Sequence, residues 1–466
     1  MPRPSDGLPV RERRFAVAVL VVGTVMAVLD GSIANVALPT IARELHVGAS
    51  ASVWVVNAYQ LAVTATLVAF ASLGEVRGYR GVYACGIALF TLGSLACALS
   101  HSLPALVVAR IVQGLGGAAV MSTAPAVYRT IYPSALLGRA VGISALTVAS
   151  AASAGPALGG AILGVAPWPW LFAINVPVGL AAVLFAWRAL PAGTGRGGAY
   201  DFPSALLGGP ALALFVVALD GAGRRSGLAA TLGELLAGIV LAVAFVVRQR
   251  SLPAPMLELG IFRIPRFSLA AATSLASFLC QGLAFVALPF LFQLGLGYSA
   301  FASGALFTSW PLAIACVAPL AGGLSDRVAP PLLSTIGLGV LAAGVALLAA
   351  LGPHASAFDI VWRGAVCGAG FGFFQAPNNR ELMGSVPREN SGSASGVLAT
   401  VRGSGQSLGA AVVAIVLASA STAAPATRVG HEAGIVAASH LALWLGAACA
   451  CVAMLGSGLR LRKEPA

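Results

Sequence analysis

The sequence predicts an all-α membrane protein with fourteen spanning helices, and three observations carry that prediction. Hydrophobic residues make up 58% of the 466-residue chain and charged ones only 9%, against roughly 25% charged residues in a soluble globular domain. Mean hydropathy is +0.92. Apolar stretches of about 20 residues, the length that crosses roughly 30 Å of hydrocarbon, recur along the whole chain. The arginines between them alternate in density from loop to loop, as the cytoplasmic bias of basic residues requires.

In chain order the expected spans are roughly 15–37, 52–73, 81–100, 103–128, 138–163, 168–190, 203–219, 228–247, 267–295, 301–323, 332–351, 357–383, 391–419 and 434–458. The 56 glycines and 27 prolines fall largely inside these runs, where membrane helices tolerate them, so low complexity is the wrong reading.

With the N-terminus inside, the cytoplasmic segments hold Arg3, Arg11, Arg13, Arg14, Arg77, Arg80, Arg129, Arg139, Arg188, Arg196, Arg248, Arg250, Arg263, Arg266, Arg327, Arg380, Arg388, Arg460, Arg462 and Lys463. The outer loops hold only Arg43, Arg224, Arg225 and Arg428, and Arg110, Arg363 and Arg402 lie within spans. A miscounted helix would invert every later loop. The net charge of +12 therefore reads as topology plus attraction to anionic lipids, not as a nucleic-acid surface. Both termini are expected in the cytoplasm.

Several function classes are excluded. The one lysine is Lys463, so no Walker-type Gly-Lys-Ser/Thr loop exists and the chain cannot be its own ATP-driven pump. His431-Glu432 lacks a second histidine four residues on, and the other histidines are scattered. No metal, cofactor or catalytic constellation is expected. Cys85, Cys97, Cys280, Cys316, Cys367, Cys449 and Cys451 all fall inside spans and read as small packing residues. The basic, apolar N-terminus has the look of a signal peptide, but the apolar run continues past any cleavage point, and its loss would leave an odd helix number.

An internal repeat organises the rest. "RIVQGLGGAAVMSTAP" from Arg110 is echoed by "RGAVCGAGFGFFQAP" from Arg363, and "GRAVG" from Gly138 by "GSASG" from Gly392. The separation exceeds six spans by about two helices, which places an insertion between the halves. The expected units are a six-helix bundle over 1–190, a linker with two additional membrane helices over 191–266, and a second six-helix bundle over 267–466. The apolar inserted helices, 203–247, are expected to be lipid-facing support. Parallel repeats put the substrate near the midplane between halves.

Six blocks, in order, carry a resemblance: "LDGSIANVALPTIA" (29–42), "WVVNAYQLA" (54–62), "RIVQGLGGA" (110–118), "SAGPALGG" (153–160), "WLFAINVPVG" (170–179) and "SGVLATVRGSGQSLG" (395–409). The chain resembles the major facilitators of the fourteen-span drug/proton antiporter group over nearly its full length. The resemblance implies a major facilitator fold, no enzyme activity, and alternating-access export of hydrophobic, often cationic compounds in exchange for protons across a bacterial inner membrane. A dedicated exporter of one metabolite, natural product or siderophore, and a non-transport sensor or scaffold on the same fold, stay open. A monomer is expected, its partners being small hydrophobic or cationic substrates, protons and membrane lipids.

One carboxylate, Asp30, sits in the apolar run that begins at Phe15. It lies about seven residues before the outer end of span one, and Arg110 about seven after the outer start of span four, so both sit some 10 Å below the outer boundary. A charge there costs several kcal/mol unless paired or hydrated, and is a functional site by default. Asp30 and Arg110 are the expected proton-coupling pair, with proton and cationic cargo competing for one carboxylate; a static structural pair is the competing reading. Expected cavity residues are Asp30, Asn57, Gln113, Gly117, Met121, Phe285, Trp310 and Arg402, the aromatics offering ring faces to a flat cation or simply packing. For Arg402 a structural or gating role is favoured over contact with an anionic substrate.

Gly155, Pro156, Gly159 and Gly160 are expected to form an outer seal by close helix packing, with Ala151 standing where the family's antiporter signature has glycine. The loop "LGEVRGYRGV" corresponds to the family's cytoplasmic latch but departs from it at Ala71, Glu75, Val76 and Tyr79. Glu75, Arg77, Gly78 and Arg80, with Asp326 and Arg327 of "GGLSDRV", are the expected cytoplasmic gate; solvated loop charges are the alternative. Glu381, unexpected against the family's apolar residue there, has no account at this level.

Overall fold

A computed structural model describes residues 7–133, 136–192, 195, 197, 199–223, 228–252, 255–387, 390–423 and 428–461. Arg3, Arg196, Arg224, Arg225, Arg388, Arg462 and Lys463, placed above on loops and tails, lie outside the described residues, as does the side chain of Arg428.

The described residues are almost wholly helical. The spanning segments are α1 (Val10–Glu44), α2 (Ala49–Arg77), α3 (Tyr79–Ala98), α4 (Leu103–Ile131), α5 (Leu137–Val165), α6 (Trp170–Ala189), α7 (Phe202–Gly223), α8 (Leu228–Ser251), α9 (Pro265–Gly295), α10 (Ala300–Leu324), α11 (Pro330–Ala349), α12 (Ala357–Gly384), α13 (Ser391–Ala423) and α14 (Arg428–Leu461). Each matches an expected span within several residues. Among the described residues, 13 of these are long and apolar enough to cross a membrane; α12 is the exception, because Asp359, Arg363, Asn378, Asn379, Arg380 and Glu381 crowd its two ends. Helix is the form these sequences must take in hydrocarbon, since it satisfies every backbone group internally. Two buried hydroxyls of α3 are satisfied in the same way: Thr91 donates to the Ile87 carbonyl at 2.7 Å and Ser94 to that of Phe90 at 2.9 Å.

The sequence repeat is a repeat of packing. In the first half α4 lies on α2 and α3, α5 on α1, and α6 on α3 and α1; in the second, α12 lies on α10 and α11, α13 on α9, and α14 on α11 and α9. The halves join through α5 with α10 and through α13 with α2, which are equivalent pairs under that repeat. The face carrying the start of α1 and the end of α14 is called inner below, after the arginine distribution.

The inserted pair is only half as peripheral as its composition predicts. α7 and α8 pack on each other, but α7 also lies against both α2 and α13, where Val216 is buried with Leu61 and Ala411. It bridges the halves. α8, by contrast, is left almost bare for lipid. Near the inner face Tyr200 donates to the Ala69 carbonyl of α2 at 3.2 Å, and Ser393 of α13 accepts from the Glu258 backbone N–H at 3.1 Å, so the linker is tied to each half.

Two further expectations change. Arg460 is not a tail residue in water: it is buried at the end of α14, donating to Glu381 at 2.7 Å and to Asn378 at 2.8 Å. This accounts for Glu381, whose carboxylate is the counter-charge. Trp168, an expected interfacial anchor by its place near the start of span six, is instead packed edge-on against Phe172 in the core.

Candidate functional site

Asp30 and Arg110 meet, as their common depth predicts. The Asp30 carboxylate is buried inside the first bundle, not turned to lipid. One oxygen takes the Arg110 guanidinium; the other accepts from the Gln113 amide at 2.8 Å and from Asn175 of α6 at 3.1 Å. Arg110 in turn donates through Nε to the Val55 carbonyl of α2 at 2.8 Å, and its guanidinium lies over the Tyr59 ring, 4.3 Å from the centroid. Gln113 continues the network to Ser94 of α3 at 2.8 Å. Five helices thus converge on one carboxylate.

The local sequence makes this possible. Gln113 follows Arg110 by one helical turn, so both side chains leave the same face of α4. The glycines on that face admit Tyr59: a Cβ on Gly117 would stand 2.7 Å from its hydroxyl oxygen. Tyr59 donates to the Ala27 carbonyl of α1 at 2.8 Å, closing the stripe that Gly23, Ala27 and Asp30 open. Small residues spaced along α1 and α4 leave room that an open cavity could use; here Tyr59 fills it, together with Tyr83, whose hydroxyl donates to the Val19 carbonyl at 3.0 Å.

This sorts the expected cavity residues. Gln113, Gly117, Asn57 and Trp310 are buried within their own halves or between packed helices, whereas Met121, Phe285 and Arg402 keep accessible surface. Trp310 stands edge-on to Phe285 at 5.4 Å, and Phe285 to Phe307 at 4.8 Å, a packed aromatic group rather than an open cage. Asn175 is a site residue that the sequence reasoning misses. Its signal in the sequence is an asparagine inside the apolar block "WLFAINVPVG".

The outer ends of the halves are in close contact. A Cβ on Gly160 of α5 would lie 2.8 Å from the Ala300 carbonyl, and one on Gly304 of α10 would collide with the Pro156 carbonyl. Gly155 and Gly159 hold the other side of α5 to Ser32 and Ile33 of α1. Gln293 of α9 donates to the Val36 carbonyl of α1 at 2.9 Å. A middle layer crosses between halves where Gln60 of α2 donates to Gln406 of α13 at 3.1 Å, which donates to Gln281 of α9 at 2.9 Å. Toward the inner face, Gly138 and Gly142 of α5 and Gly323 of α10 have nothing within 4 Å of a Cβ position. The halves are thus in close contact outside, while inside these α5 and α10 positions are open and α13 still meets α2, where a Cβ on Gly396 would lie 3.7 Å from Val68.

At the inner face Glu75 and Arg77 are exposed and form no ion pair among the described residues, and Arg80 lies over the Trp187 ring at 5.5 Å. Gly78 turns α2 into α3 at φ 95°, a conformation glycine adopts without strain. In the second half Asp326 pairs with Arg380 of α12, while Arg327 is exposed.

The family model described as Major Facilitator Superfamily matches residues 20–410. The chain belongs to this superfamily. Its members are transporters, so this major facilitator is a multi-pass membrane transporter and not an enzyme. It is 46% identical to the uncharacterized transporter YebQ of Escherichia coli (strain K12), over 98% of this chain and 97% of that one. It is 28% identical to the riboflavin transporter RibZ of Clostridioides difficile (strain 630), over 97% and 98%. It is 34% identical to the multidrug resistance protein Stp of Mycobacterium tuberculosis, over 85% and 74%. Among solved structures, an inward-facing bacterial homolog of the human lysosomal transporter Spinster superposes with a TM-score of 0.71 at 15% identity, over 98% of each chain.

Proposed function

We propose that this major facilitator exports small hydrophobic organic molecules from the cytoplasm across the inner membrane in exchange for protons, with Asp30 as the proton acceptor. One observation carries the reading: a carboxylate in the dry centre of the first bundle is tied through a single arginine to the helix that joins the halves. Arg110 holds Asp30 and the Val55 carbonyl of α2, and little more than one turn along, Gln60 crosses to Gln406.

Protonating Asp30 removes the counter-charge of Arg110 in a place where an uncompensated charge costs several kcal/mol. The guanidinium must then find another acceptor or solvent, and the Val55 bond makes α2 move with it. Proton state thereby biases which face is closed, which is the differential energy alternating access needs. The sequence expectation that cationic cargo competes directly for Asp30 requires an open carboxylate. Here three side chains already occupy it, so the coupling runs through Arg110 instead.

A single-metabolite exporter is the second reading, favoured by the 28% identity to a riboflavin transporter over 97% of the chain. A panel of lipophilic cations, neutral compounds and organic acids, tested for pH-gradient-driven uptake into everted vesicles, separates broad from narrow cargo. On any transported compound, Asp30→Asn is expected to abolish uphill accumulation while leaving downhill flux. Uphill transport with unchanged pH dependence in that variant overturns the proton role.

A further inference from the structure

Among the described residues, most charges set within the spanning helices are paired; Glu234 of the peripheral α8 and Arg402 are not. Asp30 pairs with Arg110, Glu381 with Arg460, and Asp359 with Arg363 at 3.5 Å. Arg402 has no such partner among the described residues: no carboxylate, carbonyl or amide accepts from its guanidinium, which rests instead near the Phe278 ring, 5.4 Å from the centroid. Its nitrogens are not among the sealed, unsatisfied polar atoms of the interior, so they reach accessible space.

Its position is central. Arg402 lies eleven residues into α13, about 17 Å from the inner end at 1.5 Å per residue. The next residue, Gly403, packs on Thr64 of α2, and Gly405 packs on Phe278 of α9, so the side chain emerges where both halves meet. One turn further out, Gln406 forms the amide layer with Gln60 and Gln281. Arg402 therefore stands directly beneath the layer that closes the middle of the molecule, on the inner side, where α5 and α10 carry open positions.

We propose that Arg402 is the anion-recognition residue of the cargo site, and that the physiological cargo is a hydrophobic organic acid whose carboxylate docks on this guanidinium. The inference deepens the proposed export reading and rests on it for the cargo site's location. A free guanidinium offers a planar fork that matches a carboxylate through two parallel charge-assisted hydrogen bonds. In a space walled by hydrocarbon, such a pair forms at far lower cost than a bare cation. A cationic cargo, by contrast, would meet a like charge at mid-membrane and find Asp30 already neutralised.

The test is equilibrium binding to the purified, full-length protein in detergent, with no proton gradient, using fluorescein as the anionic probe and rhodamine 123 as its cationic, flat counterpart. Fluorescein is expected to bind more tightly than rhodamine 123 by about tenfold or more, and Arg402→Gln to erase that preference. Arg402→Lys, which keeps the charge but loses the fork, is expected to retain part of it. A purely structural role would change both probes alike. Failure of fluorescein to bind, equal binding of the two probes, or a fluorescein affinity untouched by Arg402→Gln overturns the proposal and marks Arg402 as merely hydrated. Because no gradient is applied, these outcomes are independent of whether Asp30 carries the proton.

Discussion

Gln60 and Gln406 are 346 residues apart in the chain and meet at 3.1 Å, joining α2 of one half to α13 of the other. This contact must break and reform if the halves rock, and one such bond is worth about 1 kcal/mol. Gln60→Leu is expected to shift the balance toward the outward-open form by roughly fivefold with little loss of stability. Spin-label distances between the outer ends of α5 and α10 would show the longer-distance population growing; an unchanged distribution would mean the contact does not hold the closed state.

The α5–α10 contact allows a sharper intervention. Gly304 faces the backbone carbonyl of Pro156, which cannot swing aside as a side chain would. Gly304→Val should wedge the outer ends apart, leaving a folded protein that cannot close outside and transports at least about tenfold more slowly. A cysteine introduced at Phe301 should then react with a membrane-impermeant maleimide faster than in the parent. Equal labelling would show that the wedge is absorbed elsewhere.

Arg460 and Glu381 form the buried pair of the second half, supported by Asn378 and Ser457. Removing one partner from such a pair costs about 3–5 kcal/mol, because the other charge remains buried. Glu381→Ala should therefore lower the thermal midpoint of the purified protein sharply. The double variant Glu381→Gln with Arg460→Met should recover much of the loss, and failure to recover would assign the effect to packing rather than charge.

Asp201 lies outside the spans, where it accepts from Arg248 at 2.7 Å and from Ser204. Burial pushes its carboxyl up, but the hydrogen bonds from Ser204 and Arg248 outweigh that and hold it below the usual carboxylate range. Its contribution is complete above the unfolded value near 3.9 and is lost as pH falls through the lower folded value. Because the pair is partly exposed, the effect is about 1 kcal/mol or less. Asp201→Asn should loosen the α7–α8 hairpin at pH 7, read as faster amide hydrogen exchange there. The parent should lose the same protection, taken relative to the intrinsic exchange rate at each pH, only in acid below about pH 4.

Helix number, order and the repeat were legible in the sequence because lipid imposes a length and a composition on each segment independently of its neighbours. For the same reason Asp30 and Arg110 stood out: a charge in hydrocarbon is conspicuous, and equal depth on antiparallel helices is arithmetic from the ends. What the sequence could not fix is which neighbour fills the space beside a small residue. Glycine stripes at Gly23 and Gly117 look alike whether they border a cavity or receive a tyrosine, and only the packing of α2 and α3 showed that Tyr59 and Tyr83 occupy them. Likewise, Arg402, Arg460 and Arg110 are equivalent as letters. Tertiary structure alone decided that two of them are neutralised and one is left facing space, since ion pairing depends on distances of a few ångströms between helices far apart in sequence.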